Sequence, residues 1–104
     1  MVLAKVIGEI VATAKVDRLV GQKFLLTEVQ RIEHESDGDK IIPTGATIVA
    51  NDPIGAGRGE LVLVVQGSSA RMTDLTSTLP TDGLIIGIVD SISVESKYVY
   101  RKDS

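Results

Sequence analysis

The chain has 104 residues, no cysteine and a formal net charge of −3. Without cysteine, disulfides and thiolate metal sites are excluded, and the acidic balance argues against a general nucleic-acid binder, which needs a basic footprint. Apolar residues make up 43% of the chain but aromatics only 3%, so Val, Ile, Leu and Ala must fill the core. Ten glycines beside this β-branched bias point to a strand-rich domain with many tight turns.

This length predicts one domain over residues 1–104. Residues 2–13 read as a first strand with a small apolar face of Val2, Ala4, Val6, Gly8, Ile10 and Ala12. Mid-strand Gly8 permits the bend that closes a small barrel. Lys5 and Glu9 interrupt the apolar opening, so neither a signal peptide nor a membrane span is expected, and a cytosolic placement is the simplest. Residues 23–32 form a second strand. An exposed hairpin excursion over 33–45 follows, with Asp37-Gly38 as its turn.

Residues 46–51 read as a third strand and residues 60–66 as a fourth, on either side of the glycine-rich stretch "DPIGAGRGE". Ser68, Ser69, Ala70, Arg71 and Met72 read as one short helix with a serine N-cap. The sequence Pro80-Thr81-Asp82-Gly83 marks a turn, residues 84–94 a long strand, and residues 97–102 a last one. Residues 61–65 and 84–89 are apolar on both faces. A small barrel hides only its inner face, and one short helix covers little, so the second face predicts another subunit.

The glycine stretch looks at first like a phosphate cradle. Such cradles pass their backbone N–H groups to a helix N-terminus, whereas "ELVLVVQ" after Gly59 is a strand and no Lys-Ser/Thr pair follows. The glycines Gly55, Gly57 and Gly59 are therefore read as backbone permission for a strand-to-strand turn, close to a neighbouring subunit. His34 lies among Glu33, Glu35, Asp37 and Asp39, but a solvated acidic hairpin explains it better than a divalent metal site. Asp90 falls by register on an apolar face with Leu84, Ile86, Ile88, Ile92 and Val94. It needs a partner such as Arg71 or backbone N–H groups, or a bulge at Gly87 that turns it outward. Ser68, Ser69 and Arg71 could hold an anion at a helix start, although capping is simpler. Tyr98 and Tyr100 share a face of the last strand beside Lys97, Arg101 and Lys102, which on a nucleic-acid-binding OB-fold barrel would suit stacking of a single strand. The acidic net charge favours an ordinary packing face with solvated lysines. No catalytic residue, cofactor site or metal site is assigned.

Together, "AKVIGEIVAT", "GQKFLLTEVQ", "NDPIGAGRGELVLVVQGSSAR" and "LPTDGLIIGIVDSI" resemble the EutN/CcmL family of bacterial microcompartment vertex proteins. The resemblance covers nearly the whole chain, and the order and spacing of these blocks make it specific. It implies an all-β, OB-like five-stranded barrel assembled as a cyclic pentamer. It also implies a non-enzymatic shell protein of a carboxysome or metabolosome in the bacterial cytoplasm, partnered by its own copies and by hexameric shell proteins, with no nucleic acid or membrane. On this resemblance, Gly55, Ala56, Gly57, Gly59, Glu60, Ser68, Ser69, Arg71, Ile88, Val89 and Asp90 belong to the subunit interface or the five-fold axis. Pro53 stands where a small residue is expected, and the 33–45 excursion is longer than in shorter relatives.

Overall fold

In a computed structural model, residues 1–13, 15–17, 21–67 and 82–102 are described. Within them the chain forms seven strands: β1 (Val2–Ile10), β2 (Phe24–Glu35), β3 (Gly38–Asn51), β4 (Leu61–Gln66), β5 (Gly83–Ile88), β6 (Ser91–Val94) and β7 (Lys97–Arg101). The first five close into a barrel in the order β1-β2-β3-β5-β4, while β6 and β7 form a separate two-stranded sheet. All barrel pairings are antiparallel except β3 with β5, which meet in parallel at Asn51 and Leu84. This is the all-β, OB-like barrel that the sequence implies. The short helix expected over 68–72 lies outside the described residues.

Alternation along the strands builds the core. Ala4 and Val6 of β1, Leu25 of β2, Ala50 of β3, Val62 and Val64 of β4 and Ile85 of β5 all point inward and are buried. Each large aliphatic side chain so placed contributes roughly 1.5–3 kcal/mol. Thr27 also points inward, and its hydroxyl donates to the Ile48 carbonyl at 3.0 Å. Among the described residues every buried side-chain nitrogen or oxygen has a partner, so hydrogen bonds offset the cost of desolvating each of them.

Closing five short strands needs local bends, and bulges supply them. The β1–β2 register slips between Val6 and Gly8, leaving Ile7 as the extra residue beside the glycine. The β4–β5 register slips between Leu63 and Val64, leaving Ile86 as the extra residue beside Gly87.

Two strand assignments change. The third strand begins at Gly38 rather than at residue 46, because the 33–45 stretch continues the β2–β3 ladder to Glu35 and Gly38. The β1–β2 pairing ends at Leu3 and Gln30, so the whole 33–45 stretch lies beyond β1. The expected long strand over 84–94 is two strands, since β5 stops at Ile88 and β6 starts at Ser91 in the other sheet. Asp90 therefore does not share an apolar face with Leu84 and Ile92. It sits in the link between the sheets and is exposed.

Candidate functional site

The glycine stretch is organised by a residue that sequence reasoning passed over. Asp52 closes β3's exit, and its side chain is fully buried. One carboxylate oxygen accepts the N–H groups of Ile54 at 3.2 Å and Gly55 at 3.1 Å, and the other accepts that of Ala56 at 2.9 Å. Lys23 lies 3.4 Å from the same carboxylate and also reaches the Ala56 carbonyl. An aspartate followed by proline is a recognisable signal for such a turn, because its short side chain bonds backbone N–H groups just ahead.

The far end of the loop is sewn to β1. Gly59 donates its N–H to the Val6 carbonyl at 2.8 Å, and Val6 donates to the Glu60 carbonyl at 3.0 Å. Gly55 and Gly59 both have positive φ, 83° and 89°, where a side chain is strained. Gly57 does not share that requirement. A Cβ there would come within 3.4 Å of the Glu60 carboxylate, the movable end of a side chain. Of the three glycines read as backbone permission for the turn, Gly55 and Gly59 thus carry the positive φ and Gly57 does not. Ala56 points into the core and is 2% exposed, which removes it from any contact surface.

Glu60 ties this loop to the second sheet. One of its carboxylate oxygens accepts the Gly57 N–H at 2.6 Å, and the other pairs with the Lys102 ammonium. That pairing with Lys102, and then the Gly57 bond, hold the Glu60 carboxyl below its usual range. Lys102 also donates its backbone N–H to the Asp90 carbonyl at 2.8 Å, and Val89 donates to Leu61 at 2.9 Å. Gly57, Gly59, Glu60, Val89 and Asp90 are therefore brought together at one junction between barrel and second sheet. Ile88 packs on the core beside them. Lys102 belongs to this junction, and the sequence carried no signal for it. Ser68, Ser69 and Arg71 lie outside the described residues.

The rival sites come apart. The β6–β7 register slips at Val99, so Tyr98 faces Ser93 and Tyr100 faces Ile92. The two tyrosines therefore do not share the face expected of them. Tyr98 lies under the Arg101 guanidinium, 4.4 Å from its ring centre, beside the acidic β2–β3 turn. Tyr100 instead lines a groove of about 360 Å³ with Lys5, Ile7, Glu28, Pro43 and Leu61. At the hairpin tip His34 pairs with Asp39 at 2.6 Å, and Lys40 reaches Glu35 and Asp37. The hydrogen bonds that Lys40 donates to Glu35 and then to Asp37 raise its pKa. These acids are spent on local pairs, and no three metal-ligating side chains group together among the described residues.

A junction of backbone turns and ion pairs, without a nucleophile–base pair, is suited to holding surfaces in place. The family model described as "Ethanolamine utilisation protein EutN/carboxysome" matches residues 1–90. The chain belongs to the EutN/CcmL family. This is a family of structural proteins of microcompartment shells, not of enzymes. The carboxysome shell vertex protein CcmL of Synechocystis sp. is 39% identical over 98% of this chain and 95% of its own. The solved CcmL of Gloeobacter violaceus, 35% identical, superposes with a TM-score of 0.84 over all of both chains. GrpN from Rhodospirillum rubrum, solved as a pentameric microcompartment shell protein, is 38% identical and gives a TM-score of 0.71. That match covers 90% of this chain and 99% of GrpN. The family resemblance read from the four sequence blocks is borne out.

Proposed function

We propose that five copies of this chain close a ring that caps a vertex of a polyhedral microcompartment shell. The observation that carries this is the likeness to pentameric GrpN over nearly the whole of both chains. The ring sits in the bacterial cytoplasm within the protein shell, and its rim meets hexameric shell proteins. A five-fold tile among six-fold tiles supplies curvature.

A ring needs heterologous contacts, in which one patch of each subunit meets a different patch of the next. The junction is placed to shape them. Gly55, Gly57, Gly59 and Glu60 lie on the loop side, and Ile88, Val89 and Asp90 on the other. Ser68, Ser69 and Arg71 are assigned to the same surface by family likeness alone. The Glu60–Lys102 pair links the loop to the end of the second sheet, so the two sides of the junction are tied together there.

Native mass spectrometry tests the proposal. A species of five times the 11.1 kDa chain mass is expected at micromolar concentration. A monomer or dimer there overturns it. The OB-fold reading as a single-strand binder predicts salt-dependent association with an oligonucleotide. The separation of Tyr98 from Tyr100 counts against it.

A further inference from the structure

Of the three register shifts in the barrel, on β1–β2, β2–β3 and β4–β5, the first and last do more than bend it. Each holds an isoleucine out of the strand alternation: Ile7 is 40% exposed on β1 and Ile86 is 41% exposed on β5. A bulge residue is where a strand re-aims a side chain, and a polar residue at either position would leave the core untouched. Instead both are large and apolar. Of the other exposed aliphatics, Val11, Val16 and Ile54 lie in loops, while Ile10 of β1 and Val49 of β3 sit in strands but are paired in register, opposite Phe24 and Leu26, and are not the extra residues of a bulge.

The surroundings of the two differ. Ile7 lies in the groove of about 360 Å³, among Lys5, Glu28, Pro43, Leu61 and Tyr100. Lys5 and Glu28 face each other across the β1–β2 ladder, so the groove carries no net charge from this pair. Ile86 stands beside Gly87 and near half-buried Leu63, on a strand stretch with no charged residue. Ile7 thus lines a groove, while Ile86 is a part-exposed apolar side chain on an uncharged strand. β4 lies between β1 and β5 in the closed ring of five strands, so the two surfaces point in well-separated directions. Head-to-tail closure requires such a pair. A standard contact buries roughly 800 Å² on each partner. Two such patches take about a quarter of the chain's 6597 Å² surface, so opposite flanks must both take part.

We infer that the Ile7 groove of one copy receives Ile86 of the next, which makes these two bulges the mating halves of the ring contact. The inference rests on the ring reading above. It is tested with Ile7→Lys and Ile86→Lys, both at exposed positions, with circular dichroism confirming that each folds. Each variant alone should lose the five-subunit mass and run as a monomer. Mixed in equal amounts, they should form a heterodimer and nothing larger, because one intact groove meets one intact Ile86 and the other two halves are blocked. If either folded variant alone keeps the five-subunit mass, or the mixture stays monomeric, the assignment is overturned. Should the lysines unfold the barrel, Ile7→Gln and Ile86→Gln give the same readings. A wild-type chain without a five-subunit mass would instead remove the ring reading itself, and the two failures are distinguishable.

Discussion

The carboxylate of Asp52 and the N–H of Ala56, 2.9 Å apart, fix the point where the glycine loop turns back into the barrel. The same carboxylate holds two further N–H groups, and its side chain is wholly buried. Replacing Asp52 with Ala would leave three donors without this acceptor and remove the ion pair with Lys23. A loss on the order of 3 kcal/mol is expected. Urea unfolding of Asp52→Ala against wild type measures it, and an unchanged midpoint would remove Asp52 from its organising place.

The glycines of the loop should separate by their backbone. Gly59→Val forces a β-branched residue to a φ of 89° and should cost about 1–3 kcal/mol. Gly57→Ala meets only the Glu60 carboxylate at 3.4 Å, and its cost should stay below about 1 kcal/mol. Thermal melts of the two variants side by side decide it; equal losses would contradict the assignment.

Gly83 has a different constraint. A Cβ there would lie 2.9 Å from the Val49 carbonyl and 3.3 Å from the Ala50 Cα, both backbone atoms that cannot swing aside. Gly83→Ala should therefore push β5 off β3 at their parallel meeting point, with a loss on the order of 2 kcal/mol. A melt within a degree of wild type would show that the seam adjusts freely.

Acid should loosen the junction. Glu60 has its carboxyl pKa lowered in the folded chain, chiefly by Lys102. A lowered carboxyl stabilises the fold at pH values above its unfolded pKa, and the contribution is lost as pH falls through the folded one. Denaturation midpoints measured from pH 7 down to pH 3 should fall more steeply for wild type than for Glu60→Gln. Parallel curves would mean that the pair contributes nothing to folding.

Much of the barrel was legible because its strands obey simple alternation. Ala4 and Val6 could be placed inward from spacing alone, Asp37-Gly38 announced its turn, and Gly8 announced its bend. The break at Val89 and Asp90 was not legible. Apolar residues run through β5 and resume at Ile92, so periodicity continues while the chain changes sheets. The Val99 bulge likewise separates two tyrosines whose spacing alone puts them on one face. At the junction, the Glu60–Lys102 pair joins residues 42 positions apart, and no local pattern records a contact of that kind. Asp52 was different. Its proline neighbour and downstream glycine carried a readable turn signal, which the glycines obscured.

The junction also imposes an order in time. It gathers Val6, Gly59, Glu60 and Lys102 from the beginning, middle and far part of the chain. Long-range contacts of this type form late, since the loops between them must close first. During synthesis the surfaces beside the junction cannot take their final form until residue 102 has left the ribosome. A partially made chain that has not reached Lys102 thus lacks both the Glu60–Lys102 pair and the Lys102–Asp90 backbone bond that close the junction.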